Sequence, residues 1–162
     1  MDEVLDPQAR LQHALDLAYR YLGKRDRTQA EVRRQLAAHG VEDETAIEEA
    51  VGTLVRQGYL DDARYARVYA EDRRALDGWG PERIERKLLA AGVDPELVQA
   101  AICTRDSVGE LEAAIAVLRR RVRETPTSER ERERALGMLV RKGYDLELAY
   151  DAVRAFSTVE AG

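Results

Sequence analysis

The sequence holds a single cysteine, Cys103, so no internal disulfide can form and a disulfide-stapled scaffold is excluded. Its two histidines, His13 and His39, are too few beside that thiol to build a zinc site of His and Cys ligands. No apolar run approaches the roughly 18 residues of a membrane-spanning helix. The opening Met1-Asp2-Glu3-Val4-Leu5-Asp6 is acidic, unlike a signal peptide, so a cytoplasmic protein without membrane contact is expected. No β-branched residues alternate with polar ones, which leaves no candidate strand. Motifs for chemistry are missing too. Gly78-Trp79-Gly80 is not continued as a phosphate loop, and no serine or cysteine motif sets a nucleophile beside a histidine base. Asp61 and Asp62, adjacent at a helix start, diverge and have no further ligands near them in sequence. The expectation is a protein without catalysis, metal or cofactor.

What is there is charge and helical periodicity. The 162 residues are 44% hydrophobic and 35% charged, which suits one soluble domain or a short repeat array. The net charge of −5 opposes a broad nucleic-acid-binding surface, but 26 basic residues remain, so their placement matters more than the total.

Capping signals divide the chain into helices. Residues 7–23 carry Leu11, Leu15, Ala18 and Leu22 on one face. Thr28 and Glu31 have the spacing of a capping box for a second helix that closes at Gly40. A third follows Asp43, with Ile47, Ala50, Val51 and Leu54 at helical spacing. Gly58 then suits a helix C-terminal cap, Asp61 an N-cap, and Leu60 with Tyr65 a hydrophobic staple. The fourth helix runs from Asp61 to near Asp77. Gly78-Trp79-Gly80-Pro81 breaks the pattern, and Pro81 suits the first position of a fifth helix closing at Gly92. Asp94-Pro95 repeats that arrangement for a sixth, with Val93 and Val98 at staple positions. The seventh, residues 107–123, has an apolar face of Val108, Leu111, Ile115, Leu118 and Val122. Ser128 with Glu131 reads as another capping box, for an eighth helix closing at Gly143. Asp145 caps a ninth, which ends near Phe156.

These breaks contain a repeat. Gly40, Gly92 and Gly143 are 52 and 51 residues apart. Four positions before each stands Leu36, Leu88 or Leu139; eight before, Val32, Ile84 or Ala135; directly after, Val41, Val93 or Tyr144. The reading is all-α, with three tandem three-helix, helix-turn-helix-like repeats. Residues 1–58 hold the N-terminal helix and repeat one, 59–105 repeat two and 106–162 repeat three. Units this small bury their apolar faces by stacking, so an elongated, curved body is expected.

Charge follows the repeat. The second helices are basic, with residues 24–39 at +3, 82–87 at +1 and 129–142 at +2. The third helices are acidic, with residues 42–51 at −5, 94–105 at −1 and 145–162 at −3. Stacking would join the basic helices into a stripe; the competing reading is a solvated surface of i,i+4 pairs, as in Glu129-Arg130-Glu131-Arg132-Glu133-Arg134. Candidate contact residues are Arg25, Arg27, Arg33 and Arg34 around the second helix and Arg83, Arg86 and Lys87 on the fifth. A DNA-reading helix-turn-helix would place Glu42-Asp43-Glu44-Thr45-Ala46-Ile47-Glu48-Glu49 in the major groove, where its five carboxylates are repelled by phosphates.

Three stretches are familiar as a set: Arg25-Asp26-Arg27-Thr28-Gln29-Ala30-Glu31-Val32-Arg33-Arg34-Gln35-Leu36; Gly58-Tyr59-Leu60-Asp61-Asp62-Ala63-Arg64-Tyr65-Ala66; and Gly80-Pro81-Glu82-Arg83-Ile84-Glu85-Arg86-Lys87-Leu88 with Gly92-Val93. In this order the chain resembles the RecX family of bacterial recombination regulators from about residue 10 to residue 156. Repeat three matches more loosely, with Ala135 in place of a larger apolar residue. The resemblance implies a monomeric, non-catalytic protein that binds the RecA recombinase and its filament on single-stranded DNA, and dampens ATP hydrolysis and strand exchange. It also admits a weak direct contact with single-stranded DNA through the basic helices. The alternatives are a helix-turn-helix transcriptional regulator and a general helical adaptor for another protein.

Four further residues carry expectations. Trp79 is read as filling the gap between repeats one and two rather than as an exposed anchor. Tyr65 and Tyr69, one turn apart, are read as core. Cys103 is read as a small buried residue on the sixth helix.

Overall fold

A computed structural model of the chain describes residues 6–159, and among them it is all helical. The helices are α1 (Pro7–Leu22), α2 (Gln29–Ala38), α3 (Glu44–Arg56), α4 (Asp62–Asp72), α5 (Pro81–Ala90), α6 (Pro95–Ile102), α7 (Ser107–Arg121), α8 (Glu129–Lys142) and α9 (Leu146–Val159). The ninth runs past Phe156. Asp2, Glu3 and the other residues of the acidic opening up to Leu5 lie outside the described residues. The chain forms two compact units, residues 1–66 with 89–97 and residues 67–88 with 98–162, and passes from one to the other within α4, α5 and α6.

In the first unit, α1, α2 and α3 pack on one another. Ala14, Leu15, Ala18, Val32, Leu36 and the α3 residues Ile47, Ala50, Val51 and Leu54 are buried, while Leu11 and Leu22 flank that core half-buried. The capping box of α2 is complete. Thr28 Oγ1 accepts from Glu31 N at 3.1 Å, and Glu31 Oε1 accepts from Thr28 N at 3.0 Å. The two signature aspartates divide their work. Asp61 caps its own helix, accepting from Arg64 N at 3.0 Å, whereas Asp62 Oδ1 accepts from Gln29 N at 3.0 Å in the first turn of α2. Leu60 is buried and Tyr65 half-buried.

In the second unit α7 packs on α9, and α8 on both. Ala114, Val117, Leu118, Leu139, Tyr144, Ala149, Ala152 and Phe156 form the core. The expected face of α7 holds for Leu118, which is buried, and for Leu111, Ile115 and Val122, which flank the core, but not for Val108. Val108 is 60% exposed, and Glu110 is buried beside Ala114, Val117 and Leu118. The end of α4 does not run straight to Asp77 but widens into a π-helical turn over Arg73–Asp77. A π-turn inserts a residue and re-aims the side chains around it. Arg74 is buried there, donating to Ile102 O and Thr104 Oγ1, both at 2.6 Å, with Glu110 Oε1 at 3.5 Å. A buried guanidinium needs a carboxylate partner, and this one draws Glu110 inward.

Other expectations are corrected as well. Cys103 is exposed, one residue beyond α6, because its register falls outside the buried Val98, Ala101 and Ile102. Tyr65 and Tyr69 are both half-buried rather than core. Ser128 accepts from Glu131 N at 3.1 Å, but the Glu131 carboxylate takes Thr127 N at 2.9 Å, a variant of the expected box. Glu129 to Arg134 are all exposed, with no ion pair among them, so that run is solvated without the i,i+4 bridges.

The repeat has a physical basis in how second helices meet, since the N-terminal end of one receives the C-terminal cap of the next. In the first unit, Thr28 Oγ1 donates to Ala91 O at 2.6 Å, and a Cβ on Gly92 would stand 2.3 Å from Ala30 Cβ. In the second unit, Gly80 N donates to Lys142 O at 2.8 Å and Glu82 N to Gly143 O at 3.0 Å. Gly92 and Gly143 also take φ of +81° and +102°, so both conformation and closeness require glycine there. Gly40 shares the left-handed φ, but a Cβ added there would meet nothing within 4 Å among the described residues beyond its chain neighbours.

Candidate functional site

The seven cations singled out in the sequence fall into different situations. Arg25 Nη2 donates to Glu31 Oε2 at 2.7 Å. Burial alone would raise the Glu31 carboxyl, but the Arg25 guanidinium and the Thr28 N–H together hold it below its ordinary value. Arg27 lies over the Tyr21 ring, 3.9 Å from its centroid. Arg33 Nε donates to Glu48 Oε1 at 2.8 Å. Arg34 is exposed and reaches Ala90 O at 3.4 Å. Each of the four is turned to its own partner within the first unit.

On α5, Arg83 is held on two sides. Its guanidinium covers the Trp79 ring at 4.1 Å, and its Nη1 donates to Arg141 O at 3.1 Å. Arg86 and Lys87 are exposed and form no ion pair or hydrogen bond among the described residues. Trp79 is half-buried, with the edge of its ring packed against Tyr69 at 6.4 Å between centroids. In the second unit it therefore serves as a bed for Arg83.

A second group of cations gathers at the turn that ends the π-helix. Lys142 Nζ donates to Asp77 O at 2.7 Å. Arg120 Nη2 lies 3.3 Å from where a Cβ on Gly78 would stand, and Arg83 covers Trp79. Three consecutive residues are thus bracketed by cations from α8, α7 and α5. Burial lowers the Lys142 pKa, and Arg121 lowers it further; Asp77 opposes this, while Arg83 and Arg120 add to it. The Asp77 carboxylate is itself engaged by Arg73. The exposed run Arg119-Arg120-Arg121 was open to reading in the sequence. What was hidden is that the C-terminal end of α8 meets the N-terminal end of α5 at the same turn.

Elsewhere the surface is acidic or mixed. On α3 and just before it, Glu42, Glu44, Glu48 and Glu49 are exposed, which keeps this helix unsuited to a major groove. Between α8 and α9 a groove of about 440 Å³ is lined by Leu136, Tyr150 and Val153 together with Arg132 and Arg154. Among the described residues no group of His, Cys, Asp or Glu could hold a metal ion, and no helix is long and apolar enough to cross a membrane.

Comparison with known proteins gives a consistent result. The family model described as RecX, first three-helix domain, matches residues 14–54, and that described as RecX, second three-helix domain, matches residues 61–102. The chain is 30% identical over 158 residues to the regulatory protein RecX of Mycolicibacterium smegmatis, covering 94% of this chain and 84% of that protein. It is 37% identical over 142 residues to the regulatory protein RecX of Thermus thermophilus, covering 87% and 90%. The crystal structure of RecX from Lactobacillus salivarius superposes with a TM-score of 0.77 at 19% identity, over 92% of this chain and 97% of that one, which is a likeness of fold.

Proposed function

Since the chain belongs to the RecX family of regulatory proteins, we propose that it binds the RecA recombinase and RecA filaments on single-stranded DNA, and inhibits their ATP hydrolysis and strand exchange without catalysis of its own. The observation that carries this reading is the family match across both three-helix domains together with relatives named as regulators. In this reading the protein acts in the cytoplasm, as a monomer, in DNA repair and recombination.

The surface chemistry supports a binding protein. Arg86 and Lys87 stand exposed, without partners among the described residues, ready for carboxylates on another protein. Arg25, Arg27 and Arg33 already have partners in the fold, so they contribute less than the sequence suggests. Contacts spread over several repeats raise affinity through effective concentration, and each remains weak enough to release. Exposed carboxylates on α3 weigh against the transcriptional alternative.

Co-sedimentation with RecA filaments, paired with a strand-exchange assay, tests the reading. Recovery in the filament pellet and slowed exchange are expected. A protein that stays in the supernatant and leaves exchange unaffected contradicts the reading.

A further inference from the structure

We propose that the groove between α8 and α9 is where this chain pairs reversibly with a second copy of itself, groove against groove about a two-fold axis. The inference goes beyond the reading above. There the single chain acts on its partner; the pair is the form the protein takes by itself at high concentration.

The three repeats supply the first argument, because each is a control on the others. Seven residues before Gly40, Gly92 and Gly143, the second helices carry Arg33, Glu85 and Leu136. Two residues before the buried Ala50, Ala101 and Ala152, the third helices carry Glu48, Gln99 and Tyr150. In repeat one these positions are joined by an ion pair, Arg33 Nε to Glu48 Oε1 at 2.8 Å. In repeat two Gln99 Nε2 donates to Glu85 Oε1 at 3.4 Å. In repeat three Leu136 and Tyr150 line the groove instead, and Tyr150 is 52% exposed. Leu146, one turn before Tyr150 and 53% exposed, stands where the other repeats have Glu44 and Pro95. Val140 is exposed one turn after Leu136, on the same face of α8. The same surface is closed by polar groups in two repeats and left apolar in the third. An exposed apolar stripe of this kind marks a protein contact.

Charge identifies the occupant. Glu129, Arg132 and Glu133 on α8 and Arg154 on α9 line the same groove, so the two signs are balanced. Among the described residues Glu129, Arg132 and Glu133 form no ion pair, and Arg154 has only Asp151, at 3.8 Å on its own helix. A strongly acidic or strongly basic partner would set like charge against part of this lining. A second copy turned by a two-fold rotation brings the same four charges with it. Guanidiniums of one copy then lie against carboxylates of the other while the apolar side chains meet. The run Glu129-Arg130-Glu131-Arg132-Glu133-Arg134 has this property in its sequence, since two copies read in opposite directions set each Glu opposite an Arg.

The exposed apolar side chains are few, so the pairing is weak, with a Kd of about 10–100 μM. Sedimentation velocity of the full-length chain, with no recombinase or DNA, is followed from about tenfold below to about tenfold above that range. A rise in mass from one chain to two is expected. Leu146→Ser/Tyr150→Ser should weaken pairing by about tenfold or more with an unchanged circular dichroism spectrum. The control Leu76→Ser/Val108→Ser removes exposed apolar side chains that do not line the groove and should pair as the parent does. Arg132→Glu/Arg154→Glu and Glu129→Arg/Glu133→Arg should each stay single alone, and a mixture of the two should pair. A parent chain that stays single throughout the range overturns the proposal, as does equal weakening by both serine variants. Either charge variant pairing alone as tightly as the parent, or a mixture that stays single, overturns the choice of occupant. Assemblies that grow beyond two chains overturn the two-fold arrangement. With no recombinase present, none of these results decides the inhibition assay, and a failure there leaves the pairing standing.

Discussion

A Cβ added to Gly143 would stand 2.4 Å from Arg83 Cβ and 2.5 Å from Arg83 N. Gly92 stands in the same relation to Ala30, at 2.3 Å. Gly143→Ala and Gly92→Ala should each cost about 3 kcal/mol or more, combining the left-handed backbone with overpacking. Gly40→Ala, with the same sign of φ and open space, should cost about 1–2 kcal/mol. Urea unfolding of the three variants checks the order. Equal losses would show that Gly92 and Gly143 serve only their φ angles.

Asp61 and Asp62 should prove separable. Asp61→Ala removes the cap of α4 and Asp62→Ala the bond to Gln29 N, each at about 1 kcal/mol. Burial raises the Asp62 carboxyl, an effect its bond to Gln29 N only partly offsets. Asp62→Asn keeps an oxygen acceptor without the buried charge and should lie within about 0.5 kcal/mol of the parent. A loss as large as that of Asp62→Ala would show that the charge itself is required.

Glu110 tests the buried pair. Glu110→Ala strands the Arg74 guanidinium and should cost about 3 kcal/mol by urea unfolding, while Arg74→Met/Glu110→Leu should recover most of that. Burial raises the Glu110 carboxyl above its ordinary value, and Arg74 only partly offsets this. A raised carboxyl favours the folded state when protonated. Its contribution is full below the unfolded value of about 4.3 and is lost as pH rises through the higher folded value. Glu110→Gln should therefore flatten that part of the stability–pH profile. An unchanged profile would rule out Glu110 as its source.

Arg86 and Lys87 are the two of the seven cations without partners among the described residues, so charge reversal there isolates binding from folding. Arg86→Glu/Lys87→Glu should weaken filament binding by about tenfold or more, with the melting midpoint moved by no more than about 2 °C. Unchanged affinity would remove α5 from the contact surface. Arg83 is left out of this variant because it packs on Trp79.

How legible these features were depended on their range. The α2 capping box, the cap at Asp61 and the glycine register were open to reading because each is a local rule: a spacing of three residues, a helix start, a left-handed φ. The burial of Arg74 in the π-turn was closed to it, since its partner Glu110 lies 36 residues away. On α7 Glu110 is buried while Val108 is exposed, against a clean apolar spacing. Of the candidate site, the sequence named the right type of residue but not its state. Arg25 and Arg33 look as free as Arg86 until Glu31 and Glu48 are placed beside them. The cluster around Asp77–Trp79 depends on α8 meeting α5, a contact that no local pattern encodes.

The central claim is inhibition of RecA, and its most direct test is RecA's single-stranded-DNA-dependent ATP hydrolysis while this protein is titrated in. A dose-dependent fall is predicted. A fall at amounts well below one per RecA protomer indicates action at filament ends or by nucleated disassembly, and a fall only near equal amounts indicates occupancy along the filament. Hydrolysis that stays unchanged at saturating protein contradicts the account.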